Sequence, residues 1–289
     1  MIQAISRRQF FEKSAGGLAA AACVSSSVRS LRANPLGLPL GCQAFMVREQ
    51  LAQDFEGTLR ELAAMGYRVI EFCSPPSFVH MGFAAFVNMK ASEIRHKITA
   101  AGLRVVSCHF QFHELKEHLD ERLVFAKELG LEHMIVATLA IPPSAPIDDW
   151  RRAAGEMNKL GERTRRAGIQ LGLHNHGFEF KRIGGDLIFD ELMGRLDPKL
   201  VKSQFQVADA FNQGFDPALY LKKYPGRFLS LHLQDWLTSE KKYVPVGQGS
   251  IDWKRLFRAA KASGIDYYFV EMDMDALSAS SRYLRDLKV

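Results

Sequence analysis

Gly168-Ile169-Gln170-Leu171-Gly172-Leu173-His174-Asn175-His176 carries one complete change of secondary structure. The glycine follows a helical stretch whose apolar stripe is Trp150, Ala153, Ala154 and Met157, and it precedes an alternating leucine run. A helix that stops where a left-handed cap is needed, then passes into a β-rich run, is an αβ connection. Side chains alternate along a strand, so Leu171 and Leu173 share one face while His174 and His176 share the other.

The same unit repeats in both directions from this segment. Strands are expected over Leu38–Phe45, Tyr67–Phe72, Leu103–His109, His133–Ala137, Ile169–His174, Val201–Val207, Phe228–Gln234 and Tyr267–Glu271. Helical stripes stand between them, among them Phe55, Leu59 and Leu62, and Trp253, Leu256, Phe257 and Ala260. Gly66, Gly102, Gly130 and Gly264 repeat the position of Gly168, each between a helical stretch and a strand. Eight such units predict an α/β chain folded as a single (β/α)8 TIM barrel. A doubly wound open sheet fits less well, because no G-x-G-x-x-G turn follows the first strand.

The chain has 289 residues, of which 47% are hydrophobic and 24% charged, the composition of a globular protein. At ~150 residues per domain this suggests two domains, but α/β barrels routinely occupy about 250 residues as one. The formal charge of +6 invites a polyanion partner, yet Arg7, Arg8, Lys13, Arg29 and Arg32 against Glu12 place +4 of it within residues 1–33. The remaining +2 is spread over residues 34–289, which argues against nucleic acid as a partner.

That basic leader reads Ser6-Arg7-Arg8-Gln9-Phe10-Phe11-Glu12-Lys13, followed by a weakly apolar Gly/Ala run from Ala15 to Ala22. It resembles a twin-arginine export signal, departing from the pattern at Phe11 and at Glu12 before Lys13. The run is too short and too interrupted for a permanent bilayer span. The resemblance implies a signal over residues 1–33, cleavage after Ala33, a periplasmic barrel over 34–289, and no membrane span in the mature chain. Lipid anchoring at Cys23 is a weaker alternative, because Ala20 replaces the bulky residue expected three places earlier. Cys42, Cys73 and Cys108 show no C-x-x-C spacing and predict neither zinc site nor disulfide framework.

Strands of a parallel barrel are covered on both faces, so polar residues near their C-terminal ends stand out. Ser230, His232 and Gln234 alternate with leucines in the seventh strand, Gln204 and Gln206 share a face in the sixth, and Glu271 shares one with Asp273 in the eighth. Glu71 ends the second strand and His109 the third. Active sites of closed barrels form at those ends, so these side chains are expected to converge. Imidazoles, carboxylates and an amide oxygen around one pocket suit a divalent cation with positions left for substrate oxygens. His80, His96, His113, His118 and His133 lie in loops, on helices or at a strand start and are assigned no role. Glu179 and Asp235 are read as supports for the pocket or as loop ion pairs.

Val69-Ile70-Glu71-Phe72, His174-Asn175-His176-Gly177-Phe178-Glu179-Phe180, Leu231-His232-Leu233-Gln234-Asp235, the stretch from Val244 through Val246-Gly247-Gln248-Gly249-Ser250-Ile251-Asp252-Trp253, and Phe269-Val270-Glu271-Met272-Asp273 together resemble the sugar phosphate isomerase/epimerase family of xylose isomerase-like barrels. The resemblance runs from about residue 38 to the C-terminus. It implies a metal held at the ends of strands five to eight, which in this chain are His174, Gln206, His232 and Glu271. His174 and Gln206 stand where the family commonly has Glu and Asp. Loss of two negative charges tilts the preference from Mg²⁺ toward Mn²⁺, Co²⁺ or Zn²⁺. It also removes one of two carboxylates with which ketose epimerases exchange protons on either face of a carbon.

The resulting expectation is a metal-dependent isomerase or epimerase that abstracts a proton beside the carbonyl of a sugar or keto-sugar, with His176, Glu71, His109 and Glu179 as candidate bases. Export favours an unphosphorylated substrate. A 3-keto-glycoside lyase or hydratase is an alternative on the same barrel, a non-catalytic sugar-binding barrel a second, and an abasic-site phosphodiesterase, which needs more ligands, a third. A homodimer is a family-level expectation.

Overall fold

The computed structural model describes residues 34–289; the expected export signal lies outside the described residues. Eight parallel strands close into a barrel: β1 (Gly41–Gln43), β2 (Val69–Cys73), β3 (Arg104–Phe110), β4 (His133–Val136), β5 (Gln170–His174), β6 (Val201–Gln206), β7 (Phe228–Leu233) and β8 (Tyr267–Val270), with β8 paired back onto β1. Outer helices follow them in turn: α1 (Phe55–Ala64), α2 (Ala91–Ala100), α3 (Phe112–Leu129), α4 (Ile147–Arg166), α5 (Ile188–Arg195), α6 (Pro217–Lys223), α7 (Trp253–Ser263) and α8 (Met274–Asp286). Among the described residues no helix is long and apolar enough to cross a membrane.

The expected periodicities are those that pack. Trp150, Ala153, Ala154 and Met157 of α4 are buried, as are Trp253, Leu256, Phe257 and Ala260 of α7, within one continuous apolar layer between helices and barrel. The five stop glycines have φ between +66° and +104°, the left-handed conformation that ends a helix without a Cβ clash. The first strand is shorter than its apolar run, because the chain coils into a helical turn at Phe45–Val47 immediately after Gln43.

The lumen is layered. Val69, Val106, Tyr267 and Phe269 form a separate apolar cluster toward the strand starts. Gly172 packs against a further apolar pair: a Cβ there would lie 2.5 Å from Ile135 Cδ1 and 2.8 Å from Leu229 Cδ2. Leu229 corrects the expectation that all leucines of the seventh strand share the outer face. The β6–β7 register passes from Ser203↔Phe228 to Gln204↔Ser230, skipping Leu229, and this bulge lets it pack across the barrel onto Gly172. Above the plug the lumen is polar.

Candidate metal centre

Glu71 on β2 is fully buried and bonds to β3, β6 and β7, partners that a side chain can reach only across the barrel interior. Its Oε1 lies 2.6 Å from His232 Nε2 and 3.0 Å from His109 Nε2. Its Oε2 accepts from Ser107 Oγ at 2.6 Å and Gln204 Nε2 at 2.7 Å. Gln204 completes the layer, with Oε1 2.7 Å from His109 Nε2 and Nε2 3.0 Å from Ser230 Oγ.

The next layer carries the residues expected to ligate. His232 Nδ1 faces Glu271 Oε2 at 3.2 Å, and Gln206 Nε2 donates to the same oxygen at 2.6 Å. The His174 ring centroid is 4.6 Å from that of His232 and 5.2 Å from that of His109. The structure thus gathers His174, Gln206, His232 and Glu271, each placed by the C-terminal end of a different strand. His109, His174 and His232 also offer ring nitrogens within 4.8 Å of one another, so His109 is a further donor within reach of a shared ion.

Orphaned lone pairs test whether this donor set fits a cation. His174 Nδ1, His176 Nδ1 and Gln206 Oε1 are buried without a hydrogen-bond partner. Unpaired buried polar atoms are costly, and two of these three belong to the expected ligands His174 and Gln206. His232 Nδ1 adds a contact between a ring nitrogen and a carboxylate oxygen, which demands a proton or a cation between them. Two imidazole nitrogens, an amide oxygen and a carboxylate fit a divalent ion of the borderline class.

Charge follows the same geometry. Burial opposes ionisation of Glu71, but His109 and His232 outweigh it and hold its carboxyl well below the usual range. Burial likewise disfavours a charged His232, yet Glu71 and Glu271 on either side raise it to about 10. His174 lacks such a counter-charge, and burial followed by the neighbouring His232 and His176 keeps it neutral. Glu271 is lowered, burial being overcome by His232. Among the described residues, no Lys or Arg hydrogen-bonds or ion-pairs with any member of this cluster.

The four candidate bases occupy different environments. Glu71 is sealed beneath the imidazoles and His109 is tied to it. His176 stands at the mouth, its ring 4.9 Å from that of His174 and stacked on Phe178 at 5.1 Å. Burial lowers it to about 4, leaving the ring neutral at neutral pH. Glu179 is 2% exposed, and its Oε2 accepts the His176 backbone N–H at 2.8 Å. Burial pushes its carboxyl up to about 8, so it supports the His176 loop as a neutral group.

Two residues read as site-associated have other tasks. Asp273 caps α8 by accepting from Ala276 N at 2.9 Å. Asp235 is fully buried and accepts from the backbone N–H of Trp236, Gly247, Gly249 and Ile251 and from Trp253 Nε1, the last at 2.6 Å. The V-G-x-G-x-I-D-W stretch is therefore a loop wound around one carboxylate, and Gly249, where a Cβ would meet Asp235, permits the close approach. Sequence reasoning missed Asn175, which by alternation belongs outside. At the strand end it instead accepts Gln206 N at 3.1 Å, locking β5 to β6. It also missed Asp209, in the short helix Val207–Asn212 directly after β6, which accepts from Tyr243 Oη. Among the unassigned histidines, His133 sits at the opposite end of the barrel, 3.4 Å from Asp266.

A family model described as xylose isomerase-like TIM barrel matches residues 59–287. The inosose dehydratase of Lacticaseibacillus casei is 25% identical over 224 residues, spanning 68% of this chain and 70% of that protein. The structure of a sugar phosphate isomerase/epimerase from Parabacteroides distasonis superposes with a TM-score of 0.76 at 25% identity, covering 86% of this chain and 93% of the other. The IOLI protein, solved with a bound zinc atom, has a TM-score of 0.64 at 15% identity, with 86% and 94% coverage, a likeness of fold.

Proposed function

The chain belongs to the xylose isomerase-like TIM barrel family, and on that premise we propose that it is a divalent-metal-dependent lyase of dehydratase type acting on an unphosphorylated keto-sugar or keto-polyol. His174, Gln206, His232 and Glu271 hold the ion, with Mn²⁺, Co²⁺ or Zn²⁺ preferred over Mg²⁺ because only one of the four is a carboxylate. Bound there, a divalent cation supplies Lewis-acid polarisation of a carbonyl and its adjacent hydroxyl. His176 takes the proton from the carbon beside the carbonyl; the C–H electron pair becomes a C=C bond, the C–O bond to the β-substituent breaks, and the proton passes from His176 to the departing oxygen. Glu179 fixes the His176 backbone, and Glu71 lies too deep to meet substrate.

The observation that carries this reading is a neutral imidazole, His176, beside a cluster of unused lone pairs. Elimination needs one base, whereas epimerisation by exchange on both faces of a carbon needs two groups. Similarity to inosose dehydratases supports the lyase outcome. The absence of a Lys or Arg partner around the described cluster supports a substrate without phosphate. Similarity to the Parabacteroides protein favours isomerisation as the second reading. We further propose that residues 1–33 export a barrel spanning 34–289, on the sequence pattern alone.

The test is incubation of the purified, Mn²⁺-, Co²⁺- or Zn²⁺-loaded protein with unphosphorylated keto-sugars and keto-cyclitols, followed by mass analysis. Loss of one water or alcohol supports the lyase. A product of unchanged mass with altered retention makes the protein an isomerase or epimerase. Failure to bind any of the three ions above background removes the metal-enzyme reading in favour of a sugar-binding barrel.

A further inference from the structure

Glu71 makes more hydrogen bonds than a merely tolerated buried carboxylate requires. Three donors bond to it, His232 Nε2 on Oε1 and Ser107 Oγ and Gln204 Nε2 on Oε2, and His109 Nε2 lies 3.0 Å from Oε1 as an ion-pair contact. An ionised carboxylate only accepts, and three donors and the His109 ring surround its two oxygens. The side chain is 0% exposed, so no water competes for those positions. An imidazole nitrogen that bonds to such an oxygen must carry a hydrogen. Gln204 enforces the same choice on His109, since the nitrogen 2.7 Å from its Oε1 also meets an acceptor.

We propose that Glu71 is the positioning residue of this site: it holds hydrogen on Nε2 of His232 and His109 and thereby makes Nδ1, which faces Glu271, the nitrogen of His232 that a metal ion can take in exchange for its proton. The 9° interplanar angle of these stacked rings follows from a shared anchor on a single oxygen. Presentation of His232 Nδ1 beside Glu271 then requires no turn of the ring when an ion replaces its proton. Carboxylates behind ligating imidazoles fix tautomer and orientation in this way, and their loss typically weakens metal binding 10–100-fold. The use of His232 Nδ1 in ligation rests on the lyase reading above; the tautomer assignment does not.

Long-range ¹H–¹⁵N correlation of histidine rings in the ¹⁵N-labelled full chain, metal-free and then Zn²⁺-loaded, reads the tautomers directly. Hydrogen-bearing Nε2 on His232 and His109 in both forms is expected, with Nδ1 of His232 shifting on zinc addition. Glu71→Gln, whose amide keeps one accepting oxygen and turns its NH2 toward the remaining partners, is expected to lower Zn²⁺ affinity about 10–100-fold and to mix the two tautomers. Ser107→Ala, which removes one donor and leaves the carboxylate, should keep both tautomers and the affinity. A bare Nε2 on His232 in wild type, or a Glu71→Gln protein with unchanged zinc affinity, overturns the proposal. The wild-type spectrum decides the case alone if Glu71→Gln does not fold. Hydrogen on both Nε2 atoms with no zinc binding would uphold the tautomer assignment and remove the metal-dependent function instead.

Discussion

Replacing Glu179 by Gln in the metal-free protein tests how the mouth is stabilised. Glu179 is 2% exposed and hydrogen-bonds the His176 backbone, and burial raises its carboxyl from 4.5 to about 8. A carboxyl that keeps its proton longer in the fold than in the unfolded chain loses stability with rising pH. Both states are protonated below pH 4.5; above it the unfolded chain ionises first, and the penalty grows until the folded carboxyl also ionises near pH 8. At 1.36 kcal/mol per pH unit, the full penalty is ~5 kcal/mol, with about 3 kcal/mol present at pH 7. Gln retains the acceptor for His176 N–H and cannot ionise. Urea unfolding of wild type and Glu179→Gln between pH 4 and 9, followed by tryptophan fluorescence, should give matching stabilities at the acid end. The variant should lead by about 3–5 kcal/mol at the alkaline end. A stability difference that stays flat across this range would refute the argument that burial dominates this carboxyl.

Three further outcomes follow from other parts of the molecule. Asp235→Asn keeps at most one oxygen acceptor; in its better orientation it loses the Trp236 and Ile251 bonds and points an amide at their N–H groups, so urea unfolding should show a loss of about 3 kcal/mol or more, against a smaller loss for Trp253→Phe, which removes one bond. His176→Ala should lower kcat by about 10²–10⁴ in the elimination assay with Zn²⁺ affinity unchanged; equal activity would exclude His176 as the base. Gly172→Ala should cost about 1–3 kcal/mol, because Ile135 and Leu229 occupy the space a methyl needs, and a neutral result would mean that this layer of the lumen relaxes freely.

The fold was legible because its determinants are local. Gly66, Gly102, Gly130, Gly168 and Gly264 mark helix ends through their own backbone freedom, and Trp150 or Trp253 announce a buried face by spacing alone. The candidate ligands were legible for a related reason: a buried strand has no local use for His174, Gln206, His232 or Glu271, so each is anomalous where it stands. Leu229 was not legible, because the bulge that turns it inward arises from the register against β6. Asn175 was hidden likewise by a strand end, where alternation stops.

The sequence by itself determined eight αβ units, the ends on which polar side chains collect, and a deficit of carboxylates among them. Only the tertiary structure decided what each polar residue does. Barrel closure places Glu71 of β2 against β3, β6 and β7 and so buries one candidate base among two imidazoles, an amide and a hydroxyl, while Asp235 holds a loop and burial favours the neutral form of Glu179. The physical reason is that helix stops and strand faces depend on neighbours along the chain, whereas the charge and hydrogen-bonding state of a buried group depend on neighbours far along it, 161 residues apart for Glu71 and His232.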